Sequence, residues 1–325
     1  MAAQALVPHT ADMAGDARAT TFVTGAAGFI GTELIKLLVA SGHHVVGLTP
    51  SPDAAQRVRQ AGAIPVMGDL LQPGQWQDEA GADWVFHLPP HSPSGSRLTP
   101  RRAASAVRAR VSMDARLLDA VAAGPTRRIV YVASTSWYGA SGTRSITEDE
   151  PPRPSAWRRS LAPAIDRLDG YVIAGLPIVI AYIGWVYGNA SWFRERVIDP
   201  VLAGRRVLQF GKRGPWVSAI HAHDCARALV HLAEHGEVGG RYFLVNSDPI
   251  LLHEFAETFA RLANRPLRVR RLPAAAARLA VGPLAADFVR SDAVFSNIRL
   301  RSTGFRFRYP TLEQGLQQIL GELNE

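Results

Sequence analysis

A glycine-spaced turn follows the first apolar run of the chain. Residues 21–24 are apolar or β-branched, and Gly25, Gly28 and Gly31 then lead into an amphipathic helix. The first glycine of such a turn permits a sharp reversal, the second lets backbone N–H groups approach an anion, and the third lets the helix pack closely. The spacing and its context predict a site for the diphosphate of a dinucleotide.

Alternating strands and helices must position this turn. Helices are predicted at residues 107–122 and near 157–174, between apolar or β-branched runs. Strands alternating with helices are typical of an α/β fold with a doubly wound parallel sheet, the Rossmann arrangement. The runs that predict the later strands are residues 44–48, 64–67, 84–88, 129–134 and 178–182.

The pattern also predicts a division of the chain. Residues 1–19 are expected to form a flexible tail, 20–183 the dinucleotide-binding domain, and 184–325 a smaller C-terminal substrate lobe with interleaved elements. In that lobe we expect a helix near residues 222–234 and a strand at 242–245. The lobe should cover the carboxyl ends of the parallel strands, where open α/β sheets bind ligands.

Composition excludes several classes of function. The net charge of +8 comes mainly from arginines in scattered pairs, and such scatter does not predict a nucleic-acid surface. The single cysteine, Cys225, excludes an internal disulfide and is typical of a reducing compartment, so we expect a cytoplasmic protein. No apolar run reaches the ~18–20 residues of a membrane helix. We predict no nucleic-acid partner, no membrane partner and no metal site.

Together the motifs resemble an extended, atypical short-chain dehydrogenase/reductase of the NAD-dependent epimerase/dehydratase family. The resemblance covers about residues 20–320. It implies the Rossmann fold, a nicotinamide cofactor and a small-molecule substrate. The segments that carry it are residues 25–31, 68–70, 85–88, 132–139, 186–188, 220–224 and 304–310.

The resemblance implies a catalytic set that this chain does not complete. In the family a Ser after the fifth strand hydrogen-bonds the reacting oxygen, a Tyr shuttles the proton, and a Lys four residues later lowers the pKa of that Tyr. Ser134 matches the Ser, but Trp157 and Leu161 stand at the Tyr and Lys positions. None of the seven tyrosines has a lysine four residues on. An indole N–H donates a hydrogen bond but cannot shuttle a proton, so the usual relay is missing.

Other groups are candidates for that proton transfer. Tyr138 lies four residues after Ser134 and is the phenol expected nearest to the site, although the resemblance favours a packing role for it. His223 precedes a helix near the expected substrate cleft, and an imidazole with a pKa near ~6.5 suits acid–base work. Asp224 is expected to cap that helix. His87 ends a strand and is expected to be a hydrogen-bonded core residue.

Cofactor choice depends on the end of the second strand. Thr49 and Ser51 are neutral there and Arg57 follows one helical turn later, which slightly favours NADP over NAD. Ser51 could instead serve only as a helix N-cap. The residues predicted to bind the cofactor are Gly25, Ala27, Gly28, Phe29, Ile30, Gly31, Thr49, Ser51, Asp69, Leu70, Leu88 and Pro89.

The substrate lobe is rich in aromatic residues. The resemblance implies an arginine for the diphosphate of a sugar nucleotide at the position of Val217, so the chain departs from that pattern. Aromatic residues would suit an apolar small molecule, or they could simply fill the core of the lobe. The residues predicted to line the substrate pocket are His91, Trp157, Trp185, Trp192 and Trp216.

Three functions remain open at this point. The chain could be an NAD(P)-binding enzyme that uses its pocket for non-redox isomerisation, cyclisation or elimination of a fairly apolar metabolite. It could be a reductase or epimerase with a substitute proton donor, or a non-catalytic NAD(P)-binding sensor. Relatives pair through the helices at residues 107–122 and 157–174, so a homodimer is an expectation as well.

Overall fold

The structure is a computed structural model, and it describes residues 18–89, 100–154, 159, 162–211, 214–273, 276 and 292–324. The tail expected at residues 1–19 therefore lies almost wholly outside the described residues. None of the described helices combines the length and apolar character that a bilayer-crossing segment needs.

A seven-stranded parallel sheet forms the centre of the molecule, in the order β12-β7-β5-β4-β1-β2-β3. The order reverses between β1 and β4, which is where an open α/β sheet leaves a crevice for a ligand. The strands are β1 Thr20–Thr24, β2 His44–Thr49, β3 Ile64–Met67, β4 Trp84–His87, β5 Arg128–Ser134, β6 Ser145–Ile146, β7 Ile178–Ile183, β8 Trp185–Tyr187, β9 Arg206–Phe210, β10 Trp216–Val217, β11 Ala219–His221, β12 Arg241–Leu244, β13 Ile250–Leu251, β14 Arg268–Leu272 and β15 Val294–Phe295.

Helices cover both faces of this sheet. A 3₁₀ helix, Thr135–Tyr138, follows β5, and a π-helical segment, Arg194–Ile198, precedes α6. The α-helices are α1 Phe29–Ala40, α2 Pro52–Gln60, α3 Trp76–Glu79, α4 Pro100–Ala122, α5 Ala162–Ile173, α6 Asp199–Leu202, α7 Ala222–His235, α8 Glu254–Leu262, α9 Ile298–Ser302 and α10 Leu312–Asn324.

The predicted α/β architecture is confirmed. All neighbouring strands of the central sheet are parallel, and the runs predicted as strands before residue 183 form its first six members. The seventh, β12, comes from beyond residue 183 and pairs with β7. Helix α7 likewise packs against α1. The second half of the chain thus completes the sheet as well as forming a lobe.

Among the described residues, buried apolar side chains form three clusters. One lies between the sheet and helices α1 and α7 and includes Leu34 and Leu229. A second lies on the opposite face, under α4 and α5, and includes Leu117 and Leu168. The third fills the smaller lobe around Phe255. Burying apolar side chains on both sheet faces fixes the strand ends that carry the candidate site.

The start of α7 departs from the expectation for Asp224. His221 caps this helix, because its Nδ1 accepts the N–H of His223 at 3.3 Å. Asp224 is fully buried and accepts the backbone N–H groups of Arg308 at 2.8 Å and Tyr309 at 2.7 Å. Its carboxylate therefore fastens the C-terminal segment onto α7 instead of capping the helix.

Candidate active site

The glycine turn joins β1 to α1 at the carboxyl edge of the sheet. Gly25 has a φ of +64°, and a Cβ on it would lie 2.1 Å from the carbonyl oxygen of Leu88. A Cβ on Gly31 would lie 2.3 Å from the carbonyl oxygen of Gly25. Gly28 is exposed, and among the described atoms a Cβ there would approach only that same carbonyl oxygen, at 3.0 Å. The space above Gly28 is a cradle that a side chain would fill.

The N-terminus of α1 faces this cradle, and no side chain of the described residues caps it. Gly28 is the N-cap residue, and the first turn carries no acidic residue. The partial positive charge of the helix end is therefore available to an anion, so the turn fits a dinucleotide diphosphate. Ala27, Phe29 and Ile30 are half-buried and anchor the turn on the core below it.

The end of β2 gives different roles to the two neutral residues predicted there. Thr49 is fully buried, and its hydroxyl donates to the carbonyl oxygen of Val66 at 3.4 Å, so it faces β3. Ser51 caps α2. Arg57 extends from α2 to the glycine turn, where its Nε donates to the carbonyl oxygen of Ala27 at 3.4 Å. Arg57 thus brings a positive charge to the edge of the predicted cofactor site.

The loops after β3 and β4 supply the remaining predicted cofactor residues. Asp69 is exposed, and its carboxylate accepts the N–H of Leu71 at 2.9 Å, which stabilises the turn after β3. Leu70, Leu88 and Pro89 are buried. These residues lie at the same sheet edge as the glycine turn, since β3 and β4 run parallel to β1 and β2.

Ser134 is the last residue of β5, opposite Ile183 of β7 in the sheet register. Its Oγ accepts the N–H of Ser136 at 3.3 Å as the 3₁₀ helix begins. Since that contact uses an oxygen lone pair, the O–H of Ser134 is left to donate. The side chain is half-buried at the carboxyl edge of the sheet, a position from which a hydroxyl can donate to a substrate oxygen.

Tyr138 occupies the core below this edge. It is 2% exposed, and its hydroxyl donates to the carbonyl oxygen of Glu148 at 3.3 Å. The rings of Tyr182 and Phe243 meet it edge to face at centroid distances of 5.1 and 4.7 Å. Burial raises the pKa of Tyr138, although the charge of Arg241 and its hydrogen bond oppose that shift. This arrangement fits the packing role and makes Tyr138 a poor proton donor.

His223 lies where α7 meets α1. Its Nδ1 is 4.0 Å from a carboxylate oxygen of Glu33, and its ring is 6.1 Å from that of Tyr309. Burial, followed by the charge of Arg308, lowers the pKa of His223. Neither contact involves the carboxyl end of β5, and no hydrogen bond or ion pair among the described residues joins His223 to Ser134.

Three of the five predicted pocket residues lie in the part of the chain that the structure describes. His91 and Trp157, like Leu161, lie outside the described residues. Trp185 and Trp192 meet edge to face at 5.3 Å and are half-buried against the core of the lobe. Trp216, in β10, is also half-buried.

A buried polar network behind the cradle was not predicted as a unit. His87 is fully buried; its Nδ1 lies 2.7 Å from the hydroxyl of Thr24, and its Nε2 lies 2.8 Å from Asp114. Asp114 also accepts hydrogen bonds from Arg110 at 2.8 Å and from the hydroxyl of Tyr131 at 2.6 Å. The network connects α4 to β1, just before Gly25. His87 is therefore the hydrogen-bonded core residue that its position predicts.

The protonation of this network follows from its contacts. Asp114 accepts a hydrogen bond from Nε2 of His87, so Nε2 carries the proton of the neutral ring. Nδ1 therefore accepts a hydrogen bond from the hydroxyl of Thr24, and the Thr24 oxygen in turn accepts the N–H of Leu88 at 3.2 Å. Burial lowers the pKa of His87, although Asp114 opposes that shift. Burial alone would raise the pKa of Asp114, but the hydrogen bond from His87 and the charge of Arg110 leave that pKa below its usual value.

Comparison with known proteins identifies the lineage. The sequence model of the NAD dependent epimerase/dehydratase family matches residues 21–245, from β1 to the end of the central sheet. The chain belongs to this family. The resemblance drawn from the motifs is confirmed, and the match includes β12, the strand that comes from beyond residue 183.

Several members of the epimerase/dehydratase family are similar along most of their length. The 4-hydroxy-2-methyl-3-oxo-4-farnesyl-3,4-dihydroquinoline-1-oxide ketoreductase of Stigmatella aurantiaca is 30% identical over 80% of this chain and 78% of its own. The epimerase family protein YfhF of Bacillus subtilis is 24% identical over 92% of this chain and 97% of its own.

Solved structures show the same fold. Human epimerase family protein SDR39U1 with NADPH has a TM-score of 0.75 at 23% identity, covering 93% of this chain and 99% of its own. MoeE5 in complex with UDP-glucose and NAD has a TM-score of 0.77 at 24% identity, covering 94% of this chain and 99% of its own. The Rossmann arrangement predicted from the strand pattern is therefore confirmed at the level of whole chains.

Proposed function

We propose that this chain is an NADPH-dependent reductase of a bulky, apolar ketone. The observation that carries the proposal is one sheet edge that combines an open glycine cradle, Arg57 beside it, and the donor hydroxyl of Ser134. The related ketoreductase of Stigmatella aurantiaca, whose substrate carries a farnesyl group, supports both the reaction class and the apolar substrate. Bound NADPH would supply the hydride.

The aromatic surface near Ser134 supports an apolar substrate over a sugar nucleotide. Trp185 follows Ile183, the residue opposite Ser134, after one intervening glycine. Its backbone N–H donates to the carbonyl oxygen of Ser218 at 2.9 Å, and Ser218 is the residue that follows β10. Val217 in β10 is 2% exposed and carries no charge for a diphosphate. A polycyclic or prenylated ring would bury apolar area against these tryptophans.

Ser134→Ala is expected to lower the rate of reduction by about 10²–10³-fold. The Ser134 hydroxyl would donate to the substrate oxygen as negative charge develops there, and removing one such donor costs on that order. The measurement is kcat with the true substrate, alongside the NADPH affinity, which should not change. Ser136→Ala is the neighbouring control, and near-full turnover by Ser134→Ala would remove this residue from the mechanism.

Arg57 is proposed to favour NADPH over NADH. Its guanidinium contacts the glycine turn, and from there it would pair with the 2′-phosphate of NADPH at the end of β2. We expect Arg57→Ala to weaken NADPH binding by about tenfold or more, since a charge-assisted hydrogen bond contributes roughly 1.5–3 kcal/mol. NADH binding should change little.

The matched control for Arg57 is Arg59, which is also exposed on α2 and lies two residues further along. Calorimetric titration of both variants with NADPH and NADH measures the ratio of the two affinities. An equal loss of both cofactors in Arg57→Ala, or an equal loss of NADPH in Arg59→Ala, would contradict this assignment.

One observation favours a second candidate, a non-redox isomerase, cyclase or lyase. No tyrosine has a lysine four residues on, and Tyr138 is buried with a raised pKa. A reductase built in this way must take its proton from water, a histidine or the substrate. We therefore expect little or no reduction of the generic small ketones and aldehydes that other members of the family accept.

The two candidates differ in the fate of the hydride. The test incubates the enzyme and C4-deuterated NADPH with a panel of apolar polycyclic and prenylated ketones. If the product contains deuterium and an equal amount of cofactor is oxidised, the result supports the reductase. Turnover with unlabelled product and unconsumed cofactor supports the non-redox enzyme, provided that solvent exchange and the activity of cofactor-free protein are measured as well. Cofactor binding without any turnover favours a sensor.

A further inference from the structure

A cluster of metal-ligating side chains lies on the last turns of α7. His231, Glu234 and His235 each offer one ligand atom, and these atoms lie within 4.8 Å of one another. We propose that His231, Glu234 and His235 form a zinc site. Imidazole nitrogens and a carboxylate oxygen are ordinary ligands for Zn²⁺, and a water can take the fourth position of a tetrahedron.

The helix brings the three side chains together. Residues three and four apart lie on one face of an α-helix, so His231 is a neighbour of both Glu234 and His235. The two imidazole centroids are 4.5 Å apart, and Nε2 of His235 lies 3.6 Å from a carboxylate oxygen of Glu234. Tetrahedral zinc with bonds of about 2.0–2.1 Å separates its ligand atoms by about 3.4 Å. Since the His235 side chain is 55% exposed, it can move to close the remaining gap.

A second observation concerns Thr303, in the turn after α9. The hydroxyl of Thr303 donates to the carbonyl oxygen of Leu300 at 2.6 Å, so toward His231 it can only accept. Nε2 of His231 lies 2.8 Å from that hydroxyl and 3.2 Å from the carbonyl oxygen of Thr303. Both acceptors require a proton on Nε2, which leaves a lone pair on Nδ1.

This arrangement is the one that orients a metal-binding histidine. A ligating imidazole almost always donates its other N–H to a carbonyl, carboxylate or water, which fixes the tautomer and the ring plane. Thr303 provides that contact for His231 before any metal binds. Phe305 further restricts the imidazole, since the two ring centroids lie 5.5 Å apart. Thr303 is thus a positioning residue for the first ligand.

The site is far from the glycine cradle. Arg128, the first residue of β5, donates to the carbonyl oxygen of Ala233 at 3.0 Å, so this end of α7 lies at the amino edge of the sheet. Zinc there cannot contact a ligand at the carboxyl edge. Its effect would be to fasten α7 to the turn that contains Thr303, and thereby to stabilise the C-terminal segment.

The direct test uses the full-length, tag-free chain after treatment with a chelator. Calorimetric titration with Zn²⁺ should give one ion per chain, and Co²⁺ should produce the visible absorption of a tetrahedral site. His231→Ala and His235→Ala should each weaken Zn²⁺ binding at least tenfold. His44→Ala, at an exposed histidine at the start of β2, should leave it unchanged.

Variants of Thr303 test whether the two histidines form an organised metal site or are neighbours by chance. Thr303→Val removes the accepting hydroxyl, and the loss of such an outer contact lowers metal affinity by about 10–100-fold. Thr303→Ser should restore it. Circular dichroism of each metal-free variant checks that the fold is kept. Absence of stoichiometric Zn²⁺ binding, or binding that His235→Ala leaves unchanged, would overturn the proposal.

Discussion

Gly28→Val is expected to weaken NADPH binding by roughly a hundredfold or more while leaving the chain folded. The new side chain would occupy the open cradle, and a Cβ would meet only the carbonyl oxygen of Gly25, at 3.0 Å. Excluding the diphosphate from the helix N-terminus removes charge-assisted hydrogen bonds of about 1.5–3 kcal/mol each, and two of them account for a factor of this size.

Gly31 provides the contrast that separates binding from folding. A Cβ there would lie 2.3 Å from the carbonyl oxygen of Gly25 and 2.8 Å from that of Ala26, so Gly31→Val should unfold the turn and destabilise the protein. Gly170→Ala in α5, where a Cβ meets nothing within 4 Å, is the neutral control. The readouts are nicotinamide fluorescence and thermal unfolding. Unchanged NADPH affinity in Gly28→Val would reject the diphosphate site.

The sequence predicts those parts of the fold that local patterns determine. The fold leaves no room for a side chain at Gly25 or Gly31, so glycine is required there and its spacing can be recognised in the sequence. The first six strands of the sheet can be recognised because they are runs of mainly apolar or β-branched residues. A strand was predicted at residues 242–245, close to the observed β12 at Arg241–Leu244, but no local signal in the sequence indicates that it joins the sheet beside β7. That pairing depends on register between residues about sixty positions apart.

Side-chain roles at the site were harder to predict because they depend on contacts between distant segments. Thr49 and Arg57 are both near the end of β2, yet only the folded chain turns the Thr49 hydroxyl toward β3 and brings Arg57 to Ala27. The same holds for Asp114, which is 27 residues from His87 in sequence. A carboxylate in the middle of a long, arginine-rich helix gives no sequence signal that it is buried.

The three residues of the proposed zinc site could be picked out from the sequence. His231, Glu234 and His235 have the spacing H-x-x-E-H on one predicted helix, and that helix was recognised. The expectation of no metal site stays a prediction, and the proposed zinc site is the alternative that the titration tests. What sequence could not supply is the contact with Thr303, which lies 72 residues away.

Asp114→Ala is expected to lower the free energy of unfolding by about 3–5 kcal/mol. Removing one partner from a buried ion pair leaves the other charge uncompensated, and here Arg110 would remain almost fully buried. His87 and Tyr131 would also lose their acceptor. Urea denaturation measures the change, and Glu313→Gln, which breaks an exposed pair with Arg261, should have little effect.

A double variant tests whether the uncompensated charge is the cause. Arg110→Met with Asp114→Leu removes both charges and keeps most of the volume, so it should be less destabilising than Asp114→Ala alone. If the double variant is the less stable of the two, the Asp114 hydrogen bonds outweigh the charge of Arg110. A loss below about 1 kcal/mol in Asp114→Ala would show that the network adds little to stability.

The same network predicts the direction of acid sensitivity. Burial lowers the pKa of His87 below the usual 6.5, so as the pH falls through about 6.5 the unfolded chain binds a proton that the folded chain does not, and stability declines. Because the pKa of Asp114 is also lowered, its contribution is present above the usual value of 3.8 and is lost as the pH falls below that value, through the folded-state pKa. NMR titration should find His87 neutral, with the proton on Nε2, at pH 6.5. A His87 ring that is half-protonated at or above that pH would contradict the burial argument, because a group excluded from water and facing Arg110 must resist the charge.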